Sequence, residues 1–163
     1  MGRVTGDRIP TLGRRGEGWV LAQAVAIMAI VVAGIVGPAW PATTVALLVV
    51  IGVAFAAAGL ALLGAGIVAL GSALTPCPRP LERASLRQDG VYRLARHPIY
   101  GGLFLLALGW ALMSSPVALA PAGALALVFE LKARVEESML VERFPDYPAY
   151  RSRVRWRFVP GIR

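Results

Sequence analysis

Charge is what this sequence withholds over most of its length. From Gly18 to Pro78 there is no Asp, Glu, Lys or Arg, and the stretch 97–129 is equally bare. A 163-residue chain that is 57% hydrophobic, with mean hydropathy +0.66, is too apolar to cover itself as an ordinary soluble domain. Uncharged runs of ~18 or more apolar residues are membrane-span candidates, so the class is integral membrane. No acid interrupts these runs, which argues against a proton-coupled transporter. Cys77 is the only cysteine, set in the run TPCPRP. It excludes an internal disulfide, has no partner for zinc or redox chemistry, and reads as an inert loop thiol. No G-x-G-x-x-G fingerprint is present, against a soluble Rossmann-type cofactor fold. Arg14 and Arg15 precede the first apolar run as in a signal peptide. That run is long for an h-region and lacks a clean A-x-A site, so it is expected to be a retained span.

Four apolar segments are present, at about 19–36, 44–73, 98–113 and 116–131. The first ends at GPAWPA, where prolines stop a helix and Trp40 suits an interface. The second would be ~45 Å long at ~1.5 Å per residue, so it must tilt, kink at a glycine or project from a core ~30 Å thick. Its Ala57, Ala61, Ala65, Ala69 and Ala73 recur every fourth residue, a stripe expected to be a packing seam. The last two are short and joined by Ser114-Ser115-Pro116, as in a tight helical hairpin. All 17 Lys and Arg lie in three segments: the basic tail 1–18, the loop 74–97 and the segment 132–163. The connections 37–43 and 114–116 carry none. Four spans place the three basic segments on one side, which the positive-inside rule makes cytoplasmic. The expected fold is therefore an all-α integral membrane protein. It has four transmembrane helices, cytoplasmic N- and C-termini, and a last helix extending into the cytosol. After the tail, residues 19–163 form one domain. This pattern accounts for the basic excess without nucleic acid.

Polar side chains are scarce inside the spans, Gln23 being the deepest, so chemistry is expected at the cytoplasmic border. The only histidine, His97, stands there in RHPIYGG. Pro98 suits the first position of a helix, and the free N–H groups of that helix start, with Arg96, would favour an anion. His97 and Tyr100 fall on one side of the first turn. A purely structural reading makes His97 a helix cap and Tyr100 an interfacial anchor. Further on, FELKARVEESMLVERF keeps apolar residues at helical spacing, and Lys132 and Glu136 share a face.

Two stretches together resemble a known family. GVYRLARHPIYGG is similar to the G-x-Y-x-x-x-R-H-P-x-Y-x-G signature of the isoprenylcysteine carboxyl methyltransferase and phospholipid methyltransferase superfamily. EESMLVERFPDYPAY is similar to its second signature, E-E-x-x-L-x-x-x-F-G-x-x-Y-x-x-Y, in the same order and spacing. The resemblance implies a membrane methyltransferase using S-adenosylmethionine, acting on a lipophilic small molecule or lipid in the bilayer, without a metal. It implies cofactor contacts at Tyr92, His97, Pro98, Ile99, Tyr100 and Glu136. Arg96 and Glu137 join the candidates as a donor for the cofactor carboxylate and an acceptor for its diol or ammonium. Lys132 falls where isoprenylcysteine enzymes carry a substrate-associated arginine, and it lacks arginine's planar fork. Pro145 replaces the usual glycine, and Arg155 a frequent proline.

The segment RSRVRWRFVP alternates arginines with other residues. If extended, it would put cations on one side, either to anchor on anionic headgroups or to cover the cofactor pocket. Two other functions stay open at the level of sequence: a nicotinamide-dependent membrane reductase of the sterol-reductase type, and a non-enzymatic four-span transporter or scaffold.

Overall fold

The computed structural model describes residues 9–79 and 85–162. Arg3 and Arg8 of the tail, Pro80 and Arg83 of the loop, and Arg163 lie outside them. The described residues form five α-helices: α1 (Glu17–Val36), α2 (Val45–Leu70), α3 (Pro98–Ser114), α4 (Leu119–Arg143) and α5 (Tyr147–Arg153). Single 3-10 turns occupy Gly71–Ala73, Gly90–Arg93 and Pro116–Ala118. Three helical segments, Glu17–Val36, Val45–Ala73 and Pro116–Arg143, are long and apolar enough to cross a membrane, and α3 is a shorter apolar helix beside them.

α2 runs unbroken for 26 residues, about 39 Å at ~1.5 Å per residue. Gly71, at φ 52, ends it in a conformation that favours glycine. The expected alanine seam is not the contact face. Ala57, Ala61 and Ala65 are exposed, whereas Gly52, Gly59 and Gly66 are buried. A Cβ on Gly59 would lie 2.8 Å from the Gly102 carbonyl oxygen, and one on Gly52 would lie 2.8 Å from that of Gly109. Glycines seven apart on both helices thus bring the α2 and α3 backbones together. This is the small-residue packing that substitutes for hydrophobic drive in lipid.

α1, α3 and α4 form the other half of the bundle, around Ile30, Ala111, Ala122, Leu125 and Phe129. At one end, the Trp40 indole donates to the Ala111 carbonyl (3.3 Å), and Ser115 caps the turn before α4. At the other end the basic segments converge. Arg79 donates to the Arg14 carbonyl, and the chain at 96–97 pairs with the chain at 156–157.

The C-terminal segment differs from the extended reading. Tyr147, Tyr150 and Val154 are buried on one face, at helical intervals, and Pro148 falls in the first turn. Residues 147–153 are therefore helical, and the chain straightens only after Arg153.

Candidate functional site

Pro98 opens α3, with His97 in the flanking N-cap position. His97 caps α3 through its backbone, its carbonyl accepting from the Gly101 N–H (3.1 Å), but the imidazole makes no cap hydrogen bond. Backbone bonds hold the residue instead: the His97 N–H donates to the Arg157 carbonyl (2.7 Å) and the Arg96 N–H to that of Trp156 (3.1 Å). The freed ring faces α4 between two carboxylates. Nε2 lies 3.2 Å from Glu137 Oε1, and Nδ1 lies 3.7 Å from Glu136 Oε2.

Those acids have different surroundings. Glu137 is buried in a cationic nest: Arg96 Nε donates to it at 3.0 Å, Arg157 Nε lies 3.3 Å away and Arg151 Nε 3.6 Å away. With Arg96 and Arg157 against it, the carboxylate accepts, so a hydrogen bond from His97 uses Nε2–H as its donor. Arg157 also bonds Glu130, which accepts from Arg134 at 2.8 Å. Arg96 Nη1 donates to the Val154 (2.6 Å) and Arg155 (3.2 Å) carbonyls. The guanidinium expected to favour a ligand anion is thus partly engaged inside the protein, while Arg96 also lines a neighbouring cavity.

Glu136 turns the other way, into a cavity of about 420 Å³ at the basic end of the bundle. Such volumes are typical of small-molecule sites, ~300–1,000 Å³. Tyr100 OH donates to Glu136 Oε2 at 2.7 Å. The Tyr100 ring is parallel to His97 (centroids 5.4 Å) and to Phe129 (5.1 Å). Lys132, one turn before Glu136, is 1% exposed; its Nζ donates to Gln23 Oε1 at 2.6 Å and lies 4.8 Å from the Tyr100 centroid. Leu63, Ile67 and Leu103 form an apolar wall, and Thr75 to Pro78 close another side.

Of the residues singled out from sequence, Tyr92, Arg96, His97, Ile99, Tyr100, Lys132 and Glu136 line this cavity. Pro98 is buried beneath it, and Glu137 stands behind it. Several lining residues were missed. Gln23 was visible only as the one deep polar side chain of its span. Cys77, read as an inert loop thiol, forms part of the wall, as does Arg87. Tyr147 and Tyr150 line it too, so all four tyrosines of the protein and its one histidine surround a single cavity. Tyr150 OH donates to the Tyr92 carbonyl at 2.8 Å, while the buried Tyr147 OH has no partner among the described residues. Burial pushes the phenols of Tyr92, Tyr147 and Tyr150 well above their ordinary pKa, so they stay protonated.

The bundle and its cavity define a multi-pass helical membrane protein with a largely apolar pocket, bearing a few polar groups, at the end of its helices. Residues 43–147, more than half of the chain, match the family described as phospholipid methyltransferase, and the chain belongs to that family. It is a membrane methyltransferase. No curated protein matches it.

Proposed function

We infer that the protein transfers a methyl group from S-adenosylmethionine to a lipophilic small-molecule or lipid acceptor, at a site on the cytoplasmic side of the cell membrane. The observation that carries this reading is the shared cavity. Residues from both signature stretches, 40 positions apart, converge on one void of suitable size with a carboxylate, an imidazole, phenols and an apolar wall. Four spans with both termini in the cytoplasm fit the convergence of the basic segments at that end.

The donor set suits the cofactor's chemistry. Glu136 accepts from a ribose diol or pairs with an ammonium. Arg87, exposed and without an acidic partner among the described residues, meets a carboxylate. Tyr92 and Ile99 offer faces to an adenine. When bound, S-adenosylmethionine supplies an electrophilic methyl on a sulfonium. The protein's own part is alignment and exclusion of water, which dominate an in-line displacement. His97 is locked to Glu137 and orients the Tyr100–Glu136 pair rather than shuttling a proton. Lys132 of α4 and Gln23 of α1, bonded to each other at one side of the cavity, face the acceptor.

Calorimetry on detergent-solubilised protein tests the assignment. S-adenosylhomocysteine is expected to bind with a stoichiometry of one and NADPH not at all. Binding of NADPH without S-adenosylhomocysteine would overturn methyl transfer from this donor.

A further inference from the structure

The segment 154–157 is used on two sides. Its carbonyls hold residues of the catalytic cavity: Val154 and Arg155 accept from Arg96 Nη1, Trp156 from the Arg96 N–H and Arg157 from that of His97. The side chains of Arg155 and Trp156 are exposed. With Arg93, Leu94 and Arg153 they line an open cleft separate from that cavity, and no acid lines it among the described residues. Arg153 donates to the neutral Gln88 side chain, and the guanidinium groups of Arg93 and Arg155 have no partner among the described residues. Three cations around one cleft repel one another, and an anion between them reverses that sign. Depth in the bilayer selects the anion. The backbone bonds to Arg96 and His97 tie this segment to the entry of α3. There a Cβ on Gly66, one turn from the end of α2, would lie 2.7 Å from Ile99. The cleft therefore sits where the apolar helices end. Trp156 is 39% and Leu94 49% exposed at that border. Tryptophan is enriched at the headgroup level, and arginines beside spans attract anionic lipids.

We propose that this cleft holds the headgroup of an anionic phospholipid, with Arg93 and Arg155 on its phosphate and Leu94 and Trp156 against the first carbons of its chains. Guanidinium donors in a planar fork suit a phosphate, and the exposed apolar groups suit the lipid rather than a free ion. A lipid seated there braces from outside the segment whose carbonyls hold Arg96 and His97. The site is distinct from the cavity, so it stands whichever methyl donor the cavity takes.

The test titrates the full chain in detergent with dioctanoyl phosphatidylglycerol and follows melting by circular dichroism. Dioctanoyl phosphatidylcholine, inorganic phosphate and a poly-glutamate peptide are the comparisons. Phosphatidylglycerol is expected to raise the melting temperature by about 4 °C at roughly ten times its dissociation constant, and the other three to leave it unchanged. The double variant Arg93→Gln, Arg155→Gln is expected to melt like wild type without lipid, since neither guanidinium has a partner to lose. It should bind phosphatidylglycerol at least about tenfold more weakly. Arg14→Gln with Arg15→Gln removes the same charge outside the cleft and is expected to keep the full shift. Equal weakening in the two double variants would overturn the proposal, showing attraction by overall charge alone. An equal shift with phosphatidylcholine would overturn it, as would one with inorganic phosphate, a free-anion site, or with poly-glutamate, a site for an acidic protein. No shift of the wild-type protein with phosphatidylglycerol would overturn it without recourse to any variant.

Discussion

A step of one residue along an α-helix turns the side chain by about 100°. Between Glu136 and Glu137 that rotation separates a cavity-facing carboxylate from one enclosed by Arg96, His97 and Arg157. Their substitutions should therefore diverge. Glu136→Gln is expected to weaken S-adenosylhomocysteine roughly tenfold, the loss of one charge-assisted bond, with little change in melting. Glu137→Gln leaves buried cations uncompensated and should cost about 3–5 kcal/mol of stability, seen in thermal unfolding before any binding is measured. Equal behaviour of the two would show that the division is wrong. The pairing of the two acids in EESML gives no hint of it, because only the partner elements decide which face of α4 is enclosed. Lys132 is the same case. Its bond to Gln23 spans 109 positions, and no local pattern announces it.

Among whole elements, the apolar segments were legible to within a few residues at each end. The absence of charge defines a span, and prolines, glycines and serines punctuate it. Faces were not legible. α2 is apolar all round, so no contrast marks which stripe meets protein, and its small residues fit two stripes equally well. Only α3, with Gly102 and Gly109 seven apart, selects the glycines. A substitution test follows. Gly59→Leu forces side-chain atoms against the α3 backbone and should destabilise by at least ~1–3 kcal/mol. Ala61→Leu, on the exposed face, should stay within about 0.5 kcal/mol. Reversal of that order in detergent melting curves would restore the alanine seam. In α5 two periodicities competed. Alternating arginines suggested a strand, but Tyr147, Tyr150 and Val154 bury aromatic and aliphatic area on a helical face, and that outweighs the placement of exposed cations.

For the molecule as a whole, the strap formed by 154–158 explains how a site near the N-terminus of α3 depends on the end of the chain. It supplies backbone acceptors to Arg96 and His97 and inserts Arg157 between Glu130 and Glu137. Removing residues 155–163 is expected to abolish S-adenosylhomocysteine binding while the apolar helices still insert, as followed by membrane fractionation and calorimetry. Retained binding would show that the strap is dispensable. Orientation is testable with the protein's sole cysteine. Cys77 lies at the basic end, so a membrane-impermeant maleimide should label inverted vesicles and spare sealed right-side-out cells, with S-adenosylhomocysteine slowing the reaction. Labelling from outside would reverse the topology. The gathering of every phenol around one void has a practical corollary. In ultraviolet resonance Raman the tyrosine bands, once separated from those of the four tryptophans, would report on the pocket, giving this enzyme a built-in optical gauge of occupancy without any attached dye.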